Sequence, residues 1–213
     1  MSRLRVALVD YGAGNLVSIG QALEVVGAEV VLARDGRDLG AAEALVVPGV
    51  GAAGPAMARL AERGLVEPIR GWIQDGRPYL GICLGLQLLF EGSDEDGART
   101  FGVLPGRTVE LADAPTLPHI GWNQVVRRRE HPLFAGIAPA ADFYFVHSYA
   151  GRPDPAGDAV ALADTVHGAA FVSAVARGPL LGVQFHPERS GRDGLRLIAN
   201  FTALARDLGR VAA

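Results

Sequence analysis

The stretch "LGICLGLQLL", residues 80–89, holds the only cysteine of the chain, set between Gly81 and Gly85. Upstream, "RPYLGIC" reads as a short apolar strand, and "LGLQLLF" after it reads as a helix. Glycines on both sides of Cys83 remove the side chains that would crowd a tight strand-to-helix turn, which leaves the middle residue pointing out above the sheet edge. This is the pattern of a nucleophile elbow with cysteine in the place of serine. The position supplies chemistry as well, because the free N–H groups and positive end of the following helix favour a thiolate over a thiol. The backbone N–H of Leu84 would point at an oxyanion formed on a substrate carbonyl. A lone cysteine is more often a small buried hydrophobe, and the glycine-flanked turn is what argues against that fate here.

Working outward, the chain from residue 5 alternates short apolar runs with amphipathic ones: "RVALVD", "NLVSIGQALEVVG", "AEVVLA", "EALVVPG". Leu16, Ile19, Leu23 and Val26 recur at helical spacing and Gly27 stops the helix as a C-cap would. Strands alternating with helices predict an α/β domain on a parallel sheet. After about residue 105 the pattern changes to "RTVEL", "WNQVVR", "DFYFVHSYA", "DAVALAD", "AAFVSAVAR" and "LLGVQF", separated by Gly, Pro and Asp turns. This half predicts mainly antiparallel strands added to the first sheet. The last segment, "GLRLIANFTALARDLG", returns to helix with Leu197, Phe201, Leu204 and Leu208 on one face. The whole, residues 1–213, is expected to form one domain.

The composition excludes several functions. The 213 residues are 49% hydrophobic and 20% charged, with a net charge of -3, which argues against a nucleic-acid binder with a basic stripe. The one basic run, Arg127 to Arg129, reads as a solvated strand end. All 20 basic residues are arginine, so chemistry that requires a lysine is ruled out. One cysteine cannot form an intrachain disulfide, and no Cys-x-x-Cys or His-x-x-x-His spacing suggests a metal site. No cofactor is expected. The N-terminus lacks a signal-peptide pattern and no apolar run nears the roughly 18 residues a membrane span needs, so the expectation is a soluble cytoplasmic protein.

A thiolate nucleophile needs a base, and the chain has five histidines. "PLLGVQFHPE" runs a strand into His186-Pro187-Glu188. Residues two apart in extended chain project to the same side, so Glu188 can hold the imidazole in one tautomer while its other nitrogen faces the thiol. An ordinary strand-ending turn is the competing reading of the same residues. His131, before a proline, and His167, before a glycine, read as turn residues.

With Cys83, His186 and Glu188 in hand, the chain resembles the class I glutamine amidotransferases, and more narrowly the glutaminase subunits of imidazole glycerol phosphate synthases. The narrower resemblance rests on "DYGAGNL" (10–16), "VPGVGAAGPAM" (47–57), "GICLGLQLLFEGS" (81–93), "HIGWNQV" (119–125), "FYFVHSY" (143–149) and "GVQFHPERSG" (182–191). It implies a flavodoxin-like α/β fold and hydrolysis of L-glutamine to glutamate and ammonia. Cys83 would attack the amide carbon. His186, oriented by Glu188, would protonate the departing ammonia and then activate water against the thioester. The resemblance assigns oxyanion donors to the N–H of Leu84 and an N–H of the Gly49-Val50-Gly51 loop. It assigns the substrate's amino-acid end to Gln87, helped by Gly51, Glu95 and the backbone of His147, Ser148 and Tyr149. It also implies a heterodimer with a (βα)8-barrel cyclase that makes imidazole glycerol phosphate and AICAR, docked through Asn15, Trp122, Asn123 and Arg189. Ala53, Val17 and Arg189 depart from residues common in the family, phenylalanine, arginine and lysine respectively. These departures bear on partner contacts rather than on the chemistry.

Three other readings compete. One is a glutaminase serving another pathway, such as anthranilate or pyridoxal phosphate synthesis. Another is a cysteine hydrolase on the same sheet. The third is a dinucleotide-binding module read from "VDYGAGNLV", in which Val17 falls where the last glycine of the fingerprint belongs. The turn reading of Gly12 and Gly14, with Asn15 as helix N-cap, explains those glycines without a nucleotide.

Overall fold

The structure is a computed structural model that describes residues 3–211. Its first half is a run of parallel strands and helices: β1 (Arg5–Val9), α1 (Leu16–Val25), β2 (Glu29–Ala33), β3 (Ala44–Val47), α2 (Ala53–Glu62), α3 (Val66–Gln74), β4 (Tyr79–Ile82) and α4 (Leu84–Gln87). The second half adds β5 (Gly106–Glu110), β6 (His119–Arg127), β7 (Ala141–His147), β8 (Tyr149–Pro153), β9 (Ala161–His167), β10 (Ala169–Arg177), β11 (Leu180–Val183) and α5 (Gly191–Val211). Nine strands form one sheet in the order β2-β1-β3-β4-β11-β10-β9-β6-β7, and β5 and β8 form a separate ribbon.

The sheet changes character at one strand. β2, β1, β3, β4 and β11 are mutually parallel, whereas β10, β9, β6 and β7 pair antiparallel. "LLGVQF" is therefore not another antiparallel addition, as the sequence suggested. It is the fifth parallel strand, inserted beside β4, with Val183 opposite Ile82. This insertion brings His186, just past the end of β11, alongside Cys83, just past the end of β4. β3, β4 and β11 are buried at every position, as strands covered on both faces must be. On one face Val6, Leu8, Val46, Leu80 and Val183 pack with Ile19 and Leu23 of α1 and Leu197 and Phe201 of α5. On the other, Ala7, Val9, Leu45 and Val47 pack with Leu60 of α2, Ile69 and Trp72 of α3, and Leu84 and Leu86. The predicted face of α5 is buried at Leu197 and Phe201 and runs out into solvent at Leu208.

Two further expectations are corrected. "DFYFVHSYA" is not one strand. It breaks at Ser148, so that β7 ends the large sheet and β8 joins the ribbon. "DAVALAD" begins as a 3-10 turn over Pro155–Val160 and becomes strand only at Ala161. Arg127 to Arg129 ends β6 with Arg128 and Arg129 exposed, as expected, and the run is also anchored: Arg128 binds Asp158 and Asp164, both at 2.6 Å, and Arg129 donates to the carbonyls of Ala159 and Ala176.

Candidate active site

The elbow forms as its glycines require. A Cβ on Gly81 would collide with the backbone of Gly85, and one on Gly85 would collide with the carbonyl of Val47. Cys83 between them has φ 54° and ψ −108°, an uncommon conformation for a residue with a side chain. Its N–H donates to Val183 O at 2.8 Å, which fastens the strained residue to β11. α4 spans only Leu84–Gln87, shorter than "LGLQLLF" suggested, so a long helix dipole is not the source of charge beside the sulfur. A nearer source is the imidazole of His186.

His186 Nδ1 lies 2.9 Å from Glu188 Oε1, and the Glu188 side chain is fully buried. Nδ1–H therefore donates to the carboxylate, and Nε2 is left without a hydrogen-bond partner among the described residues. Burial pulls the imidazole toward its neutral form. Cys83 and Glu188 together outweigh that pull and push it up to about 10. At neutral pH the ring is thus an imidazolium between two groups that carry or can carry negative charge. Ser190 Oγ donates to His186 O at 2.6 Å and accepts from Tyr144 N at 3.0 Å, which fixes the turn that follows.

Cys83 opens on a cleft of about 260 Å³ lined by Val50, Gly51, Gln87, Glu95, Pro118, Val146, His147, Ser148 and Tyr149. Every residue that the resemblance assigned to the substrate therefore meets in one cleft with the sulfur. Glu95 is pushed above the usual carboxylate range, by burial first and by Asp96 second. The His147 imidazole is committed elsewhere, with Nδ1 at 2.9 Å from Tyr149 O and Nε2 at 3.0 Å from His119 Nδ1. Burial holds His147 down to about 3 and His119 down to about 4, so both rings are neutral. Of the expected oxyanion donors, Leu84 N–H is occupied, since it donates to Gly49 O at 3.4 Å. That loop is fixed by Tyr11, whose hydroxyl donates to Pro48 O at 3.0 Å and leaves no room for a side chain on Gly49.

The expected docking residues also share a region. Trp122 is 58% exposed on β6, and its ring meets Tyr144 of β7 edge to face with centroids 6.2 Å apart. The Arg189 guanidinium lies 4.2 Å over the same Tyr144 ring, a cation–π contact rather than an ion pair within the chain. Asn15 caps α1, accepting from Ser18 N, and α1 packs against the 187–189 turn. Asn123 is turned inward and donates to Val166 O at 2.9 Å.

Three residues of this region escaped the sequence reading. Gln184 is fully buried and donates from Nε2 to Cys83 Sγ at 3.6 Å. Tyr144 joins Trp122 to Arg189, as above. His167, read as a turn residue, stacks on His119 at 4.1 Å. The signal for Gln184 was present, since it lies two residues before His186 and so projects to the same side, by the argument applied to Glu188. His131 does behave as a turn residue, accepting from Leu133 N.

Comparison with known proteins agrees with this arrangement. The family model for glutamine amidotransferase class-I matches residues 7–204. The chain is 48% identical over 205 residues to the imidazole glycerol phosphate synthase subunit HisH of Symbiobacterium thermophilum, covering 96% of both chains. It is 47% identical over 212 residues to the subunit of the same name from Thermosynechococcus vestitus, covering 97% of this chain and 100% of that one. Among solved structures, PurLQS from Thermotoga maritima superimposes with a TM-score of 0.75 over 94% of this chain and 98% of its own, at 19% identity, a likeness of fold. The chain belongs to the class-I glutamine amidotransferase family and, within it, to the group of imidazole glycerol phosphate synthase subunits HisH.

Proposed function

We propose that this chain hydrolyses L-glutamine at Cys83 and passes the ammonia to a cyclase subunit that makes imidazole glycerol phosphate and AICAR in histidine biosynthesis. The observation that carries the reading is the strained Cys83 at the head of a cleft, beside an imidazole that is held by a buried carboxylate and raised toward the charged form by Cys83 and that carboxylate together. Cys83 as thiolate attacks the amide carbon. His186, protonated at Nε2, gives its proton to the departing ammonia and then takes one from the water that opens the thioester. Glu188 orients the ring and stabilises its charge without itself taking the proton. Gln87 spends its amide hydrogens on Tyr149 O and Gln184 Oε1, so its own oxygen is the group that can meet the substrate's ammonium.

The oxyanion needs donors, and rotation of the Gly49–Val50 peptide would supply them. Turning that plane takes the Gly49 carbonyl off Leu84 N–H and brings the Val50 N–H toward the cleft. The rotation changes ψ of Gly49, which has no side chain to oppose it, and φ of Val50. A loop that must turn before chemistry is fast suits a subunit whose product is useful only beside its acceptor. Ammonia released to water at neutral pH becomes mostly ammonium, which is no nucleophile, so a dry route to the partner is required.

The docking face is tested by substitution. Trp122→Ala is expected to raise the dissociation constant for the cyclase about tenfold, as loss of an aromatic anchor does, with a native melting curve. Arg189→Ala is expected to uncouple glutaminase activity from ligand binding at the cyclase, because it frees the Tyr144 ring beside the catalytic turn. Titration of the complex by calorimetry, with glutaminase assays in the presence and absence of cyclase ligand, reads both. Unchanged affinity together with unchanged stimulation in both variants would move the interface to another side of the molecule.

A further inference from the structure

The hydrogen bonds around Gln184 have a fixed direction, and that direction can be traced across the protein. The Tyr149 carbonyl can only accept, so both groups on it, His147 Nδ1 and Gln87 Nε2 at 2.9 and 2.7 Å, must donate. In a neutral His147 ring, Nε2 is then an acceptor. It takes the hydrogen of His119 Nδ1 at 3.0 Å, which in turn makes His119 Nε2 the acceptor for Asn123 Nδ2 at 3.2 Å. Asn123 is oriented independently, since its Nδ2 also donates to Val166 O and its Oδ1 accepts from Gln124 N at 2.8 Å. On the other side, Gln87 Nε2 donates to Gln184 Oε1 at 3.1 Å, which leaves Gln184 with its Nε2 toward the Cys83 sulfur at 3.6 Å. His119, His147, Gln87 and Gln184 are all more than nine-tenths buried. No water competes easily for these bonds, and a reversed amide would leave polar atoms unpaired.

We infer that Gln184 is a positioning residue for the nucleophile, held with its N–H toward the Cys83 sulfur by Gln87, whose own amide is oriented by the Tyr149 carbonyl. An N–H favours the sulfur anion, whereas a reversed amide would set an oxygen against it and oppose ionisation. Direction, and not the mere presence of a glutamine, is therefore what Gln87 and the Tyr149 carbonyl supply. The inference rests on the reading of Cys83 as nucleophile, which glutamine turnover by Cys83→Ala tests separately.

Cys83 is the only cysteine, so the rate of alkylation of the full-length chain by iodoacetamide at pH 7 reports this sulfur without background. Gln184→Met keeps the shape and removes the donor. It is expected to slow alkylation and kcat about tenfold each, the scale of one charge-assisted hydrogen bond, with KM within about twofold because the cleft is intact. Gln184→Glu keeps an oxygen for Gln87 Nε2 but sets its second oxygen, and not an N–H, against the sulfur, and is expected to slow alkylation at least as much. A folded Gln184→Met protein that is alkylated and turns over at wild-type rates overturns the inference. Should Gln184→Met fail to fold, Gln184→Glu decides: alkylation at the wild-type rate overturns the inference, and alkylation slowed about tenfold or more supports it.

Discussion

Cys83→Ala is expected to lower glutamine hydrolysis by at least about 10⁴-fold, the scale of removing a catalytic nucleophile, while its complex with the cyclase still makes imidazole glycerol phosphate from added ammonium salt. Water has no route to replace the sulfur, because the amide carbon must be attacked from the position that the elbow fixes. The ammonia-dependent half of the reaction does not use the thiol. The same position offers a second test that separates a functional from a structural cysteine. Cys83 sits at φ 54°, and strain of this kind costs about 1–3 kcal/mol unless the residue is glycine. Cys83→Gly is therefore expected to lose activity as fully as the alanine variant and yet melt at least as high as the parent. If Cys83 served only as core packing, glycine would lower the melting temperature through loss of a buried side chain. Steady-state glutaminase assays and calorimetric melts of both variants read the two effects.

The second large effect is at His186, and its size relative to Glu188 is informative. His186→Ala removes the group placed to protonate departing ammonia and is expected to cost about 10⁴-fold or more in kcat. Glu188→Gln leaves the imidazole in place and removes the charge that helps hold it protonated, for an expected cost of about 10²–10³-fold. The pH dependence carries a sign. Glu188 is one of the causes that raise His186 toward about 10, so its neutralisation lets burial pull the imidazole back down. The imidazolium is then lost at lower pH, and the alkaline limb of kcat moves down with it. Glu188→Gln should consequently lose more activity at pH 9 than at pH 7, relative to the parent. Equal losses at both pH values would show that the carboxylate positions the ring without tuning its charge.

Much of this site was legible because its logic is local. Gly81-x-Cys83-x-Gly85 encodes a strained turn within five residues, and the later structure shows backbone atoms filling the space where each glycine's Cβ would go. His186 and Glu188 are two residues apart, near enough to be paired from the sequence, although the pair forms across a 3-10 turn over Pro187–Arg189 and not in extended chain. What could not be read was which strands become neighbours. "LLGVQF" has the same apolar content whether it lies at an antiparallel edge or between β4 and β10, and only long-range register decides. The break at Ser148 was hidden for a similar reason, since β7 and β8 are separated by a single residue. That Arg128 and Arg129, though exposed, are also anchored was hidden because the carboxylates and carbonyls that receive them lie about thirty or more residues away in sequence, at Asp158, Ala159, Asp164 and Ala176. Gln184 was absorbed into an apolar run. A buried amide there ought to have demanded partners, and its partners turned out to be Gln87 and the nucleophile itself.

The most direct measurement of the central claim uses the glutamine analogue 6-diazo-5-oxonorleucine, which presents an electrophilic carbon where the amide carbon of the substrate would lie. The protein, in complex with the cyclase and its ligand, is incubated with the analogue and digested, and the labelled peptide is located by mass spectrometry. The account predicts one adduct per chain, on Cys83 in the peptide around "LGICLGLQLLF", with parallel loss of glutaminase activity and protection by L-glutamine. Labelling elsewhere, or complete inactivation with Cys83 unmodified, would contradict it.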